Sequence, residues 1–463
     1  CRDYLSPFTY RAFLLFIWFA LIYVLIVFLD LTAATFAPPV ESAARTGGAV
    51  ATASVLYILI ALAFGATVYR FKVPLARASL VFVPLVFVAL FAGKWLPILP
   101  SAVPQWFYGS PKYTWLLLLL VYCYLASISP VWVLLQPRDY LSSFLLFACL
   151  VGGGIGLVVS GFLGRIPVAY PAFIGWHDPK LGFLFPALFI TVACGAVSGF
   201  HSVVSSGTTA KQVSNERAAL PIAYGSMLVE GVLGVLALAG LMLLTRGYIQ
   251  EHPMHPTLVF ASGMSRFFSL FGIPESLAQN FGLLAVSTFL LTTLDTATRL
   301  SRFILEEFFA MKNRSWRYLS TLATLALPTV VVFIRIKDPA TPGAFIPAWK
   351  AVWPAFGASN QLLAALALLV VFSWLASRGR RKAFVFLPML FMLATTITSL
   401  VLLGKRHLSE GGQPLIGGIC VLLLVLAILV VIDTALHWRT ISGSAAAGGE
   451  GETDTSTEEE AIA

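Results

Sequence analysis

Charge is what this sequence has least of. Only 11% of its 463 residues are Asp, Glu, Lys or Arg, where a soluble domain carries about a quarter. That excludes much soluble mass. Cysteine is sparse too. Cys1, Cys123, Cys149, Cys194 and Cys420 are scattered through hydrophobic runs with no C-x-x-C pair. They read as buried, inert thiols, so neither a disulfide framework nor a thiolate metal site is expected. His252 and His255 flank Pro253 and Pro256 without a carboxylate or cysteine at ligand spacing, which argues against a metal there. "GTTAKQ" lacks the Gly-Lys and the second glycine of a phosphate loop. No basic patch with interleaved aromatics lies outside the apolar runs, so nucleic acid is not an expected partner. No bound cofactor or metal is expected. The opening "CRDYLSPFTYR" lacks the charged-apolar-small pattern of a signal peptide. It reads as the middle of a protein, with an N-terminal part upstream.

What is abundant is apolar: 59% of the chain. Continuous apolar runs of about 20 residues recur from end to end, each long enough to cross roughly 30 Å of hydrocarbon as a helix. A membrane barrel would instead need alternating strands of about ten residues. The runs predict about twelve helices, near residues 12–34, 53–70, 76–99, 114–135, 142–163, 183–210, 220–245, 281–302, 317–335, 352–377, 384–403 and 414–436. The fold class is therefore an all-α polytopic membrane protein, with the bilayer as its solvent. Residues 1–438 form the transmembrane domain. Residues 439–463, ending in "GSAAAGGEGETDTSTEEEAIA", are small, acidic and aperiodic, and read as a disordered cytoplasmic tail.

Lys and Arg in alternating loops set orientation. One set of loops holds 18 of the 30, with Arg138, Arg299 and Arg302 among them, and the other holds 12. This places the chain start and the tail in the cytoplasm. The formal charge of +9 is then a topology signal, with some attraction to anionic lipid. In the longest outside loop, Arg246–Asn280, "HPTLVFASGMSRFFSLFGI" has apolar residues at helical spacing. It predicts a helix lying at, or dipping into, the outer face.

Four polar interruptions stand out. "ACGAVSGFHSVVSSGTTAKQ", Ala193–Gln212, packs glycines, serines, threonines and His201 into one crossing. Close helix packing accounts for Gly195 and Gly199, but not for an imidazole in hydrocarbon. A discontinuous helix, unwinding at "SSGTTAK", would put backbone carbonyls and hydroxyls at an ion or substrate site. A Ser198–His201 hydrolase dyad has poor geometry three residues apart on one helix and no third orienting group. In "YLASISPVWVLLQPRDYLSSF", Tyr124–Phe144, Pro130 removes a backbone bond within an apolar run, and Ser129 supplies a hydroxyl. It is either a simple kink or a functional break. In "LTTLDTATRLSRFILEEF", Asp295 and Arg299 have the i, i+4 ion-pair spacing, with Thr292 and Thr293 on the same turns. In "WPAFGASNQLLAALALL", Asn360 and Gln361 open an apolar run. The last two segments serve either as bundle glue or as a site. Glu230 lies deep in its helix with no basic residue within a turn or two. It is either the proton carrier or a protonated acid bonded to a neighbouring helix, with Asp295 a structural ion-pair member. The candidate substrate and ion pathway comprises Ser129, Pro130, Ser198, His201, Ser205, Ser206, Thr208, Thr209, Glu230, Thr292, Thr293, Asp295, Asn360 and Gln361. No catalytic residue is proposed.

Five stretches carry a family resemblance: "LFIWFALIYVLIVFLDLTA", "PVWVLLQPRDYLSSF", "ACGAVSGFHSVVSSGTTAKQ", "TTLDTATRLSRFILEE" and "FGASNQLLAALAL". On these the chain resembles the carbon starvation protein A family, bacterial inner-membrane transporters linked to peptide and pyruvate uptake. The family's early Gly-His-His-rich stretch is absent here. The resemblance implies a core of two inverted five-helix repeats with discontinuous helices. In that frame the helix at 12–34 is the third, the Pro130 segment is the sixth and breaks at mid-membrane, and Gly199–Thr209 is the eighth, which lines a cation site in sodium-coupled relatives. It further implies a secondary active transporter, importing peptides or pyruvate during carbon starvation, coupled to H+ or Na+, and not an enzyme. The rival is a membrane nutrient sensor without transport, which would need an output domain that neither end supplies. Oligomeric state is not legible.

Overall fold

The computed structural model describes residues 7–38, 43–164, 168–178, 182–192, 194, 197–245, 247, 249, 255–311, 313, 315–334, 336–337, 345–409 and 414–436. His252, Gly195 and the acidic tail lie outside the described residues. The helices are α1 (Pro7–Phe36), α2 (Ala44–Gly65, extended by a π turn to Arg70), α3 (Leu75–Trp95), α4 (Pro111–Ile128), α5 (Leu135–Phe162), α6 (Leu184–Val192), α7 (Gly199–Gly207), α8 (Ala219–Met242), α9 (Pro256–Phe268), α10 (Glu275–Phe308), α11 (Trp316–Phe333), α12 (Ala348–Ser377), α13 (Ala383–Leu408) and α14 (Pro414–Leu436). Two short antiparallel hairpins, His177–Asp178 with Gly182–Phe183 and Ile336–Lys337 with Phe345–Ile346, join spans. Among the described residues, eleven helices are long and apolar enough to cross a membrane. The chain is a multi-pass membrane protein. Of the twelve expected crossings, the one at 183–210 is not continuous: it is divided into α6 and α7.

Helix α1 is apolar on every side, and accordingly it is buried on every side, with Phe16, Leu25, Val27 and Leu29 at its core. It packs along α10 and also touches α4, α11, α12 and α14. A second apolar cluster joins α2, α3, α5 and α9. Helix α10 takes part in both clusters. At 34 residues it is about 51 Å long, and it forms the spine on which the polar residues are hung.

One expectation is corrected and another is narrowed. First, Pro130 does not kink the interior of a span. Helix α4 stops at Ile128, and Ser129 is extended (φ −71°, ψ 150°), the conformation a following proline imposes. A turn then leads into α5 at Leu135. The proline separates two crossings, and the expected mid-membrane break at this point is a helix-to-helix turn. Second, of the two placements expected for the helix in the Arg246–Asn280 loop, lying at the outer face or dipping into it, α9 fits the latter. Its 13 residues span about 20 Å, too short to cross, and it is inserted among α5, α8 and α10. Small residues admit it: a Cβ on Gly263 would sit 2.6 Å from Gly240 Cα. Apolar residues at helical spacing mark a buried face but do not say whether lipid or protein covers it. Gly263→Val is therefore expected to destabilise by about 1–3 kcal/mol through overpacking, read as a lower unfolding midpoint in detergent. An unchanged midpoint would show that α8 and α9 are not in close contact.

Candidate functional site

The helix at 183–210 breaks between Val192 and Gly199, and α7 also ends at Gly207, where unwinding was expected, with Thr208 outside helical geometry (φ −128°, ψ −52°). Ser198 at the head of α7 is extended (φ −128°, ψ 130°). A break of this kind leaves backbone donors and acceptors unpaired inside the bundle, and neighbouring side chains must meet them. Asn360 and Gln361 of α12 do so. Asn360 Oδ1 accepts from Phe200 N–H at 2.8 Å and from Ser198 Oγ at 3.2 Å, capping α7 from a different helix. Gln361, in the amide orientation that satisfies both ends, donates to Val197 O at 2.7 Å and accepts from Cys194 N–H at 3.1 Å. The Ser198 hydroxyl is thus engaged by Asn360, and His201 faces elsewhere. Asn360→Ala removes the cap on α7. The cost of losing a helix cap is about 0.5–2 kcal/mol, and uptake by the full-length protein is expected to fall more than its folded yield does. Parental uptake would mean that the break is held by other groups.

One turn into α7, His201 meets Glu230 at the middle of α8. His201 Nε2 and Glu230 Oε2 are 3.5 Å apart, and the two side chains are 49% and 39% exposed. The rest of α7 is mixed. Ser205 is exposed, Ser206 donates to Ser202 O at 3.0 Å, and buried Thr208 donates to Val204 O at 2.9 Å. Thr209 opens a 3-10 turn and is half-buried. The hydroxyl hydrogens of Ser206 and Thr208 are therefore donated within their own helix.

A second polar cluster lies within the bundle, apart from the break. Asp295 of α10 has Arg138 Nη2 at 3.5 Å from one oxygen and Arg299 Nη2 at 3.7 Å from the other. Arg138 and Asp295 are both 0% exposed. Arg138 also donates to Leu291 O at 2.9 Å. Arg299 donates to Ser129 O at 2.8 Å and Ala126 O at 2.6 Å, satisfying carbonyls left open where α4 ends. The Ser129 hydroxyl returns to Leu125 O at 2.6 Å, while Pro130 is exposed. Thr292 and Thr293 bond back to Thr288 O and Phe289 O. The i, i+4 pair read from sequence is present, but Arg138 is its unforeseen third member. Arg138, Arg299 and Arg302 are buried, not loop charges. Without those three, the count of 18 basic residues becomes 15 against 12.

A third group was not singled out by sequence. Buried Asp30 of α1 pairs with Lys112 Nζ of α4 at 2.7 Å and accepts from Trp349 N–H, at the start of α12, at 3.3 Å. The His255 ring meets Trp349 edge-on at 5.5 Å. Burial, then the charge of Lys112, push the His255 imidazole down to about 4. The signal available was the lone acid in "IVFLDLTA", since a carboxylate near the end of an apolar run needs a partner.

Comparison with known proteins follows this geometry. A profile of the family described as carbon starvation protein CstA matches residues 1–254 and 250–399. The peptide transporter CstA of Escherichia coli K12 is 28% identical over 367 residues, covering 67% of this chain and 52% of that protein. The pyruvate/proton symporter BtsT of the same organism is 28% identical over 328 residues, covering 54% of this chain and 45% of that protein. The chain spans about half the length of these curated relatives. A crystal structure of a mutant manganese transporter from Eremococcus coleocola aligns over 95% of this chain and 92% of that one, at 16% identity and a TM-score of 0.38.

Proposed function

The chain belongs to the carbon starvation protein CstA family, and from that premise we propose that it is the membrane core of a secondary transporter. It carries a small organic solute, a peptide or pyruvate, into the bacterial cell across the inner membrane during carbon starvation. It is not an enzyme. Both ends described by the basic-residue bias face the cytoplasm. The observation that supports this most is the break between α6 and α7, bridged by Asn360 and Gln361. Discontinuous helices at bundle interfaces are how transporters present polar groups to a solute inside a membrane.

The coupling ion in this reading is the proton. What supports it is the titratable pair His201–Glu230, 3.5 Å apart and partly exposed beside the break. In the inverted-repeat frame, the split helix takes the eighth position. The sixth is not a helix broken at Pro130, because that proline separates two spans. The test is uptake of labelled pyruvate and of a labelled dipeptide into proteoliposomes holding the full-length protein, with and without an inward proton gradient. Accumulation of either, dependent on the gradient, is expected. Accumulation of neither overturns the reading.

A further inference from the structure

Helix α12 ends in a closed geometry. Gly379, with φ +61°, takes the left-handed position just past the helix. Its N–H donates to Ala376 O at 3.1 Å, and Arg380 N–H donates to Leu375 O at 3.0 Å. This pair of bonds satisfies the last carbonyls and reverses the chain sharply. The next helix, α13, begins at Ala383. Arg378, Arg380 and Arg381 therefore stand on a fixed turn, and all three are exposed. None of the three guanidiniums has a hydrogen bond or an ion pair among the described residues. The helix dipole favours a cation within the last turn, and Arg380 and Arg381 lie beyond it.

The opposite charge comes later in the same chain. Helix α13 crosses away from this turn and α14 crosses back, both being long and apolar enough to span a membrane. The end of α14 at Leu436 thus returns to the side that bears the turn, in either orientation of the chain. Helices α12, α13 and α14 also pack against one another, and packed helices lie about 8–10 Å apart. Beyond Leu436 the sequence carries Glu450, Glu452, Asp454, Glu458, Glu459 and Glu460, with no Lys or Arg after Arg439. The 14 steps from Leu436 to Glu450 reach at most about 50 Å, several times the spacing of neighbouring helices.

We infer that the α12–α13 turn is the docking surface for this chain's own acidic segment, residues 450–460, whose carboxylates pair with Arg378, Arg380 and Arg381. The guanidinium fork suits a carboxylate. A segment on a short tether meets its site at an effective concentration of millimolar order. Docked there, it bears on both helices that flank the break: α12, which carries Asn360 and Gln361, and α13, which packs against α6. The docking does not depend on the transport reading above. An anionic lipid surface is the rival occupant of a basic turn. The tether favours the segment, which is present beside the turn whatever the lipid composition.

The test uses the full-length protein with two introduced cysteines, reconstituted in phosphatidylcholine nanodiscs and oxidised with copper phenanthroline. One is Ala383→Cys, an exposed position at the head of α13, and the other is Ser456→Cys in the acidic segment. A disulfide joining the two within one chain is read by mass spectrometry. The link is expected to form at low salt. It should fall several-fold as salt rises from about 0.1 M to about 1 M and the screening length drops from about 10 Å to about 3 Å. Arg378→Glu, Arg380→Glu and Arg381→Glu together should cut it about tenfold, and adding Glu458→Lys, Glu459→Lys and Glu460→Lys should restore it. Arg378→Gln, Arg380→Gln and Arg381→Gln together serve if the glutamate variant does not fold. Absence of the link at low salt, or a link indifferent to salt and to charge, overturns the docking. Loss of the link when phosphatidylglycerol is added assigns the turn to lipid and overturns the acidic segment as its occupant.

Discussion

Asp295→Ala is expected to cost about 3–5 kcal/mol, the range for breaking a fully buried ion pair from one side. Native stability is typically only about 5–15 kcal/mol, so most of the folded protein should disappear from the membrane. The carboxylate is 0% exposed and lies between two guanidinium groups, at 3.5 Å from Arg138 and 3.7 Å from Arg299. Without it, the buried Arg138 and Arg299 lose the carboxylate they share. Arg138 keeps one bond, to Leu291 O, and Arg299 keeps its two to the end of α4. Neither set supplies a negative charge. The loss should also loosen the α4–α5 turn, because Arg299 is what satisfies the carbonyls of Ala126 and Ser129. Removing a second charge together with the first should be milder than removing one. Asp295→Ala with Arg138→Met is expected to recover part of the lost yield, since the coupling between contacting groups is what the single change breaks. The measurement is folded yield by size-exclusion chromatography and the unfolding midpoint in detergent. A parental midpoint for Asp295→Ala would show that water, not the carboxylate, balances the arginines.

The same cluster shows where sequence reading reaches its limit. The helices were legible because run length against bilayer thickness is a one-dimensional property. Asp295 and Arg299 were legible as a pair because four residues is one helical turn. Arg138 was not, since its partner lies 157 positions away and a basic residue after a proline turn looks like a loop charge. Its burial is decided by how α5 packs against α10, and no local pattern carries that. Pro130 was seen as a break but placed within a span. The apolar residues continue across the turn, so hydropathy alone joined the end of α4 to the start of α5. Asn360 and Gln361 were read as either bundle glue or a site. They are a third thing, side chains that complete the backbone of a neighbouring broken helix, and their meaning depends on a segment 160 residues earlier. Whether α9 lies at the face or dips in stayed open for a related reason: Gly263 reads as a packing residue only once Gly240 is known to face it.

Glu230→Gln is expected to abolish gradient-driven accumulation while sparing exchange of substrate between equal concentrations. Glu230 is at the middle of the 24-residue helix α8, where an acidic side chain costs about 2.5–3.5 kcal/mol on insertion scales. Sequence alone left it without a partner. The structure places His201 Nε2 3.5 Å away, on the helix that begins at the break. A carboxylate and an imidazole so placed can share one proton, and the pair can add or lose a second without either group being stranded as a lone charge. Both side chains are partly exposed, unlike Asp295, which is fully buried. Glutamine keeps the shape beside His201 but cannot carry a proton on its own side chain. The barrier to moving substrate with its gradient is then unchanged, while the link between substrate and proton is cut. His201→Gln should leave weaker coupling, with the pH dependence of uptake shifted, because Glu230 would titrate without its neighbour. The assay is accumulation of labelled pyruvate in proteoliposomes under an imposed proton gradient, beside counterflow without one. If Glu230→Gln still accumulates substrate against its gradient, the proton travels on another group. If counterflow fails as well, Glu230 holds the fold or the substrate and is not the carrier.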